Sequence, residues 1–101
     1  MGKFVKAAKK GDIQTGAGMV VEVDGKEVAL FNKDGSFHAI DNTCRHQGGP
    51  LGEGYLEGSM VTCPWHGWEY DITTGACQTN PNAHQAKYNV KVEGEDILIE
   101  V

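Results

Sequence analysis

Apolar positions along this 101-residue chain come in short runs that alternate with polar ones and stop at turn dipeptides. Met19–Val23 and Glu27–Asn32 flank Asp24-Gly25, a pair suited to the positive φ angles of a two-residue hairpin turn. Asp34-Gly35 leads into Ser36–Ile40, a third strand. Towards the C-terminus, Ala86–Val92 and Asp96–Val101 flank Glu93-Gly94-Glu95 as another hairpin. No segment sustains the 3.6-residue period of a helix. The pattern predicts an all-β fold.

The stretch from Asp41 to Asn82 breaks that pattern. It holds all three cysteines, two of the four histidines, both tryptophans and all three prolines, with glycines at 48, 49, 52, 54, 58, 67 and 75. Loops are expected there where a plain β-sandwich has strands, held by something other than hydrophobic packing. Without an internal repeat or a low-complexity linker, residues 1–101 read as one domain. A loop-rich part at about 41–82 sits on a β base formed by 1–40 and 83–101.

Composition narrows the class. Hydrophobic residues make up 40% and charged residues 23%, as in an ordinary globular protein, and a net charge of −5 argues against nucleic acid as a partner. Lys3, Lys6, Lys9 and Lys10 precede any acid, leaving five basic against fourteen acidic side chains in the remainder. That strip reads most simply as solvated lysines flanking an edge strand. No stretch approaches the roughly 18–20 apolar residues of a membrane span, and the start lacks the apolar core of a secretory signal. Three cysteines, an odd number, do not form a disulfide framework, so a reducing cytoplasm is expected.

Two arms carry the chemistry: Cys44-Arg45-His46 and Cys63-Pro64-Trp65-His66, with sixteen residues between His46 and Cys63. Each offers one thiolate and one imidazole. A structural zinc site also accepts two cysteines and two histidines, but zinc fingers place a cysteine pair before a histidine pair. Mixed arms suit a binuclear centre, in which both cysteines serve one iron and both histidines the other.

The two arms, with Gly48-Gly49-Pro50-Leu51 after the first and Gly67-Trp68 after the second, resemble those of Rieske [2Fe–2S] proteins. The resemblance covers nearly the whole chain. It implies the Rieske fold, a small antiparallel β-sandwich base bearing a loop-rich cluster-binding subdomain. It also implies one [2Fe–2S] cluster, with Cys44 and Cys63 on the inner iron and His46 and His66 on the outer, redox-active one. Histidine ligation would place the potential within roughly −150 to +300 mV. Gly48, Gly49 and Gly67 are expected to let the backbone turn N–H groups toward the sulfides, and Pro64 to fix the bend between ligands. Pro81, within Thr79–Asn82, is expected in a third loop over the cluster.

Departures from the family's branches refine the function. Quinol-oxidising members bridge their loops with a disulfide, for which this chain has Gly49 and Trp65; their serine two residues after the second histidine is Trp68 here. They also need a membrane anchor. Their tyrosine seven residues after the second cysteine is kept as Tyr70, whose phenol is expected to donate to a ligand sulfur. Rieske oxygenases add a mononuclear iron on two histidines and a carboxylate, for which only His38 and His84 remain. Cys77 is surplus to the motif and reads as a small buried hydrophobe.

The resemblance therefore implies an electron carrier rather than an enzyme. Its expected partners are a reductase, flavin-dependent, and a terminal oxygenase of the ring-hydroxylating kind, both docking transiently without nucleic acid or membrane. The alternative is a small Rieske subunit of a larger reductase such as an assimilatory nitrite reductase. Trp65 and Leu51 are expected to form an apolar docking rim, with Glu53, Glu57, Glu69 and Asp71 steering a basic partner.

Overall fold

Positive φ angles locate the tight turns first. Asp24 and Gly25 have φ of 53° and 81°, and Asp34 and Gly35 have 52° and 90°, so both pairs form the two-residue hairpin connections that their sequence favours. A computed structural model describes residues 2–44, 48–65 and 67–101 of the chain. Among these residues it is all-β, with ten strands and two single 3-10 turns.

The strands are β1 (Phe4–Lys9), β2 (Gly18–Val23), β3 (Lys26–Lys33), β4 (Ser36–Asp41), β5 (Tyr55–Glu57), β6 (Met60–Thr62), β7 (Glu69–Asp71), β8 (Lys87–Tyr88), β9 (Val90–Glu93) and β10 (Asp96–Glu100). They form three antiparallel sheets in the orders β1-β10-β9, β2-β3-β4-β8 and β5-β6-β7. The strand expected over Ala86–Val92 is split. β8 pairs with β4, while β9 crosses to pair with β10, and Asn89 marks the switch. The central region also differs from expectation, since β5, β6 and β7 give it a sheet of its own.

β3 explains how the layers stack. Its Val28-Ala29-Leu30-Phe31 run is apolar throughout, the mark of a strand buried on both faces. All four residues are fully buried. Val28 and Leu30 pack with Ile97 and Ile99 of β10, whereas Ala29 and Phe31 face the other way, toward Leu51, Val61 and Tyr70. The middle sheet thus has a core on each side. Each large apolar side chain removed from water contributes about 1.5–3 kcal/mol. The second core contains Cys44 and Cys63, so packing against β3 positions both arms.

Among the described residues no helix is long and apolar enough to cross a membrane.

Candidate metal centre

The two cysteine arms are closed by the same pair of main-chain hydrogen bonds. In the first, Cys44 N–H donates to Gly49 O at 2.9 Å and Gly48 N–H donates to Cys44 O at 2.9 Å. In the second, Cys63 N–H donates to Trp68 O at 2.7 Å and Gly67 N–H donates to Cys63 O at 3.1 Å. The residue four places after each cysteine must turn into the left-handed region to close the loop. It is glycine in both, with φ of 79° at Gly48 and 77° at Gly67. This corrects the expected role of these two glycines: their N–H groups are spent on the cysteine carbonyls.

Gly49 serves for a different reason. A Cβ there would stand 2.7 Å from Cys63 Sγ and 3.0 Å from Trp65 Cγ, so the first arm lies directly against the second. The same Cβ would be 3.2 Å from Trp65 Cβ. The quinol-oxidising branch bridges these two positions with a disulfide; here the bare glycine backbone receives an indole instead.

Both thiols are secluded. Cys44 and Cys63 are each 3% exposed and none of the three cysteines is in a disulfide. Tyr70, fully buried in β7, places its phenol oxygen 3.4 Å from Cys44 Sγ, the contact to a ligand sulfur that the family resemblance implies. Against a thiolate the phenol is the donor, and a charge-assisted bond of this kind favours the more negative state of the sulfur. A pair of buried thiols on adjoining loops, in an apolar setting with a phenol donor, fits the thiolate half of a binuclear iron site. Among the described residues no other His, Cys, Asp or Glu side chains gather in threes or more to hold a metal ion. His46 and His66 lie outside the described residues.

Cys77 is buried in the same core and accepts the Asn80 N–H at 3.4 Å, consistent with a packing role. The segment containing Pro81 is fastened to β7: Glu69 N–H donates to Thr79 Oγ1 at 3.0 Å and Gln78 N–H to Glu69 O at 2.8 Å. Trp65 is 57% exposed, but Leu51 is fully buried in a 3-10 turn, so the apolar rim does not include it. Glu53, Glu57 and Glu69 are exposed. Asp71 is half-buried, and its carboxylate accepts from Thr73 N–H at 2.8 Å and Thr73 Oγ1 at 2.6 Å while keeping its negative charge. His38 lies in β4, its pKa held below the usual imidazole range by burial and by Lys87 and Lys33, with Asp71 opposing.

Two residues that the sequence reading passed over support the first arm. Asn42 is buried, and its Oδ1 accepts Gly52 N–H at 2.8 Å while its carbonyl accepts Leu51 N–H at 2.8 Å. Gln85 is buried beside it. The signal available was position alone: Asn42 lies two residues before a candidate ligand.

Comparison with known proteins agrees with this geometry. The family model of the Rieske [2Fe-2S] domain matches residues 3–99. The ferredoxin component of a naphthalene 1,2-dioxygenase system from Pseudomonas putida is 36% identical over 100 residues, covering 98% of this chain and 96% of that protein. In the complex of reduced oxygenase and oxidised ferredoxin in carbazole 1,9a-dioxygenase, one chain superimposes with a TM-score of 0.87 at 26% identity, over 95% of this chain and 91% of its own length. A candidate NADH-dependent nitrite reductase small subunit from Mycobacterium tuberculosis gives a TM-score of 0.92 at 25% identity, over 100% and 96%. Twin cysteine loops on an all-β frame and a family match spanning nearly the whole chain make this protein a member of the Rieske [2Fe–2S] family, an electron carrier with one [2Fe–2S] cluster.

Proposed function

We propose that this chain passes single electrons from a reductase to a terminal oxygenase, using Cys44, His46, Cys63 and His66 as its cluster ligands. The observation that carries the reading is the pair of matched loops, which hold two buried thiols in one core, each ahead of a histidine in its arm. When bound, the cluster supplies a one-electron couple with histidine-raised potential. The chain's own residues do the rest. Cys44 and Cys63 present thiolates from the core side, screened from water by Tyr70, Leu51 and Phe31. Tyr70 holds its phenol proton at Cys44 Sγ and thereby favours the reduced form.

The choice of oxygenase as acceptor is supported by the dioxygenase ferredoxin from Pseudomonas putida and by the carbazole dioxygenase complex. A flavin-dependent donor suits this carrier, since a flavin divides a hydride's electron pair into the single electrons the carrier accepts. Trp65, exposed beside Pro64 at the second arm, offers an apolar contact for transient docking. Glu53, Glu57 and Glu69 steer a basic partner. Three thiols outside any disulfide suit a reducing cytoplasm. The test is a spectroelectrochemical titration of the purified protein between about pH 6 and 10, with iron and sulfide analysis. A Rieske chromophore with a potential inside roughly −150 to +300 mV, flat with pH near neutrality, is expected. A colourless, redox-silent protein containing zinc would overturn the reading. Electron transfer to the acceptor should slow as salt rises; a flat response would remove the steering role from the carboxylates.

A further inference from the structure

The ladder between β4 and β8 is short. Ala39 pairs with Tyr88, Ile40 pairs with Lys87, and Asp41 N–H still reaches Ala86 O at 2.9 Å. There main-chain pairing ends, because the next residue, Gln85, gives its own N–H to Gly75 O at 2.7 Å. On its other side the segment leading to Cys44 keeps main-chain partners, with Asn42 N–H on Glu27 O at 3.3 Å and a bridge from Thr43 to Pro50; on the β8 side its carbonyls still need donors in a buried setting.

The Gln85 side chain supplies them. It is fully buried, and its Nε2 donates to Asp41 O at 2.9 Å and to Thr43 O at 2.6 Å. Both amide protons are used, on two carbonyls of the segment that runs into the first arm. The orientation of the amide follows, since turning it over would set Oε1 against two carbonyl oxygens. Oε1 is the cost: it is buried without a hydrogen-bond partner among the described residues. A buried acceptor left unpaired is retained here together with two short bonds to the approach to Cys44.

The Thr43 carbonyl and the Cys44 N–H belong to one peptide plane. That plane is held at its oxygen by Gln85 and at its nitrogen by Gly49 O. With both ends tied, the direction in which Cys44 projects its side chain is set. Gln85 is held from behind in turn: a Cβ on Gly75 would collide with Gln85 O, and Gly75 has φ of 85°. The second arm is positioned differently, because Cys63 directly follows β6, the central strand of its sheet.

We propose that Gln85 is the positioning residue of the first arm, a side chain that extends the β4–β8 ladder and fixes where Cys44 Sγ stands relative to the Tyr70 phenol. The inference goes beyond the proposed electron-carrier role and rests on it only for the identity of the bound group.

Gln85→Met keeps the length and volume of the side chain and removes both donors. In the intact holoprotein, hydrogen exchange read by mass spectrometry should accelerate about tenfold in the first arm, the worth of about one lost hydrogen bond, with the second arm unchanged. The lowering of potential caused by Tyr70→Phe should shrink to half or less in the Gln85→Met background, because both side chains bond to the Thr43–Cys44 segment and groups in one hydrogen-bond network couple in a double-mutant cycle. If Gln85→Met does not fold, Gln85→Asn keeps the amide but draws it back by one methylene, and the same bias toward the first arm is expected at smaller size. Equal acceleration in both arms, no acceleration in either, or an undiminished Tyr70→Phe shift would overturn the proposal. A wild-type protein without a cluster would instead overturn the proposed function, while the exchange comparison would still decide the role of Gln85.

Discussion

Cys63 follows the central strand β6 without an intervening residue, whereas Cys44 stands three residues beyond the end of β4. The loops nevertheless close with matching hydrogen bonds and matching glycine angles. The second arm inherits its foundation from a sheet. The first is founded on side chains: Asn42 ties it to the following 3-10 turn, Gln85 to the segment before β8, and Tyr70 reaches the thiol itself. A local loop plan can therefore be reused on unlike supports, and the support, not the loop, decides how each thiol responds to mutation.

Gly49 is where the arms meet, so a side chain there should do the most damage. Gly49→Val is expected to cost about 3 kcal/mol by overpacking and to lower iron content sharply, because its Cβ falls on Cys63 Sγ. Gly67→Ala is the matched control. Among the described residues its Cβ meets no atom within 4 Å, so the left-handed backbone carries the strain, at about 1 kcal/mol, with iron content kept. Thermal melts with iron analysis compare the two, and equal losses would mean that the arms do not interlock at Gly49.

Removing a side-chain support of the first arm comes next in size. Asn42→Ala strands the Gly52 N–H in a buried turn and is expected to destabilise the fold by about 1–3 kcal/mol, read by denaturant unfolding. A variant with wild-type stability would show that the 3-10 turn holds without it.

Tyr70→Phe probes the thiol more gently. Losing a bond that favours the reduced state by about 1 kcal/mol should lower a one-electron potential by roughly 40 mV. An unchanged potential would leave Tyr70 as a core aromatic only.

The smallest effect belongs to His38. Its pKa lies below the unfolded value of 6.5, so the unfolded chain binds the extra proton first as pH falls. Its contribution is complete above that value and lost below it. Replacing His38 by Gln should flatten the fall in melting temperature on acidification below about pH 6.5; an unaltered slope would assign the fall to other groups.

Much of this architecture is legible in the sequence because it rests on local rules. Asp24-Gly25 and Asp34-Gly35 announce their hairpins through backbone angles few other residues adopt. The paired Cys and His arms are legible through composition and spacing. β5, β6 and β7 were not, since three residues are too few to display an alternation. Leu51 looked like a surface contact because a glycine-rich neighbourhood suggests an exposed loop, yet a 3-10 turn rotates it into the core. Gln85 carries no signal, because an amide in a polar segment reads as solvated. Its importance comes from two carbonyls more than forty residues earlier.

The central claim is that the two arms together supply two sulfurs and two nitrogens to one cluster. Pulsed electron–nuclear double resonance on the dithionite-reduced protein tests it directly, by reading hyperfine coupling from nitrogens bound to iron. The account predicts couplings from two histidine nitrogens in the wild type, and the loss of one in a His66→Cys variant that still holds iron. A reduced cluster showing no strongly coupled nitrogen would mean sulfur ligation alone and would contradict the account.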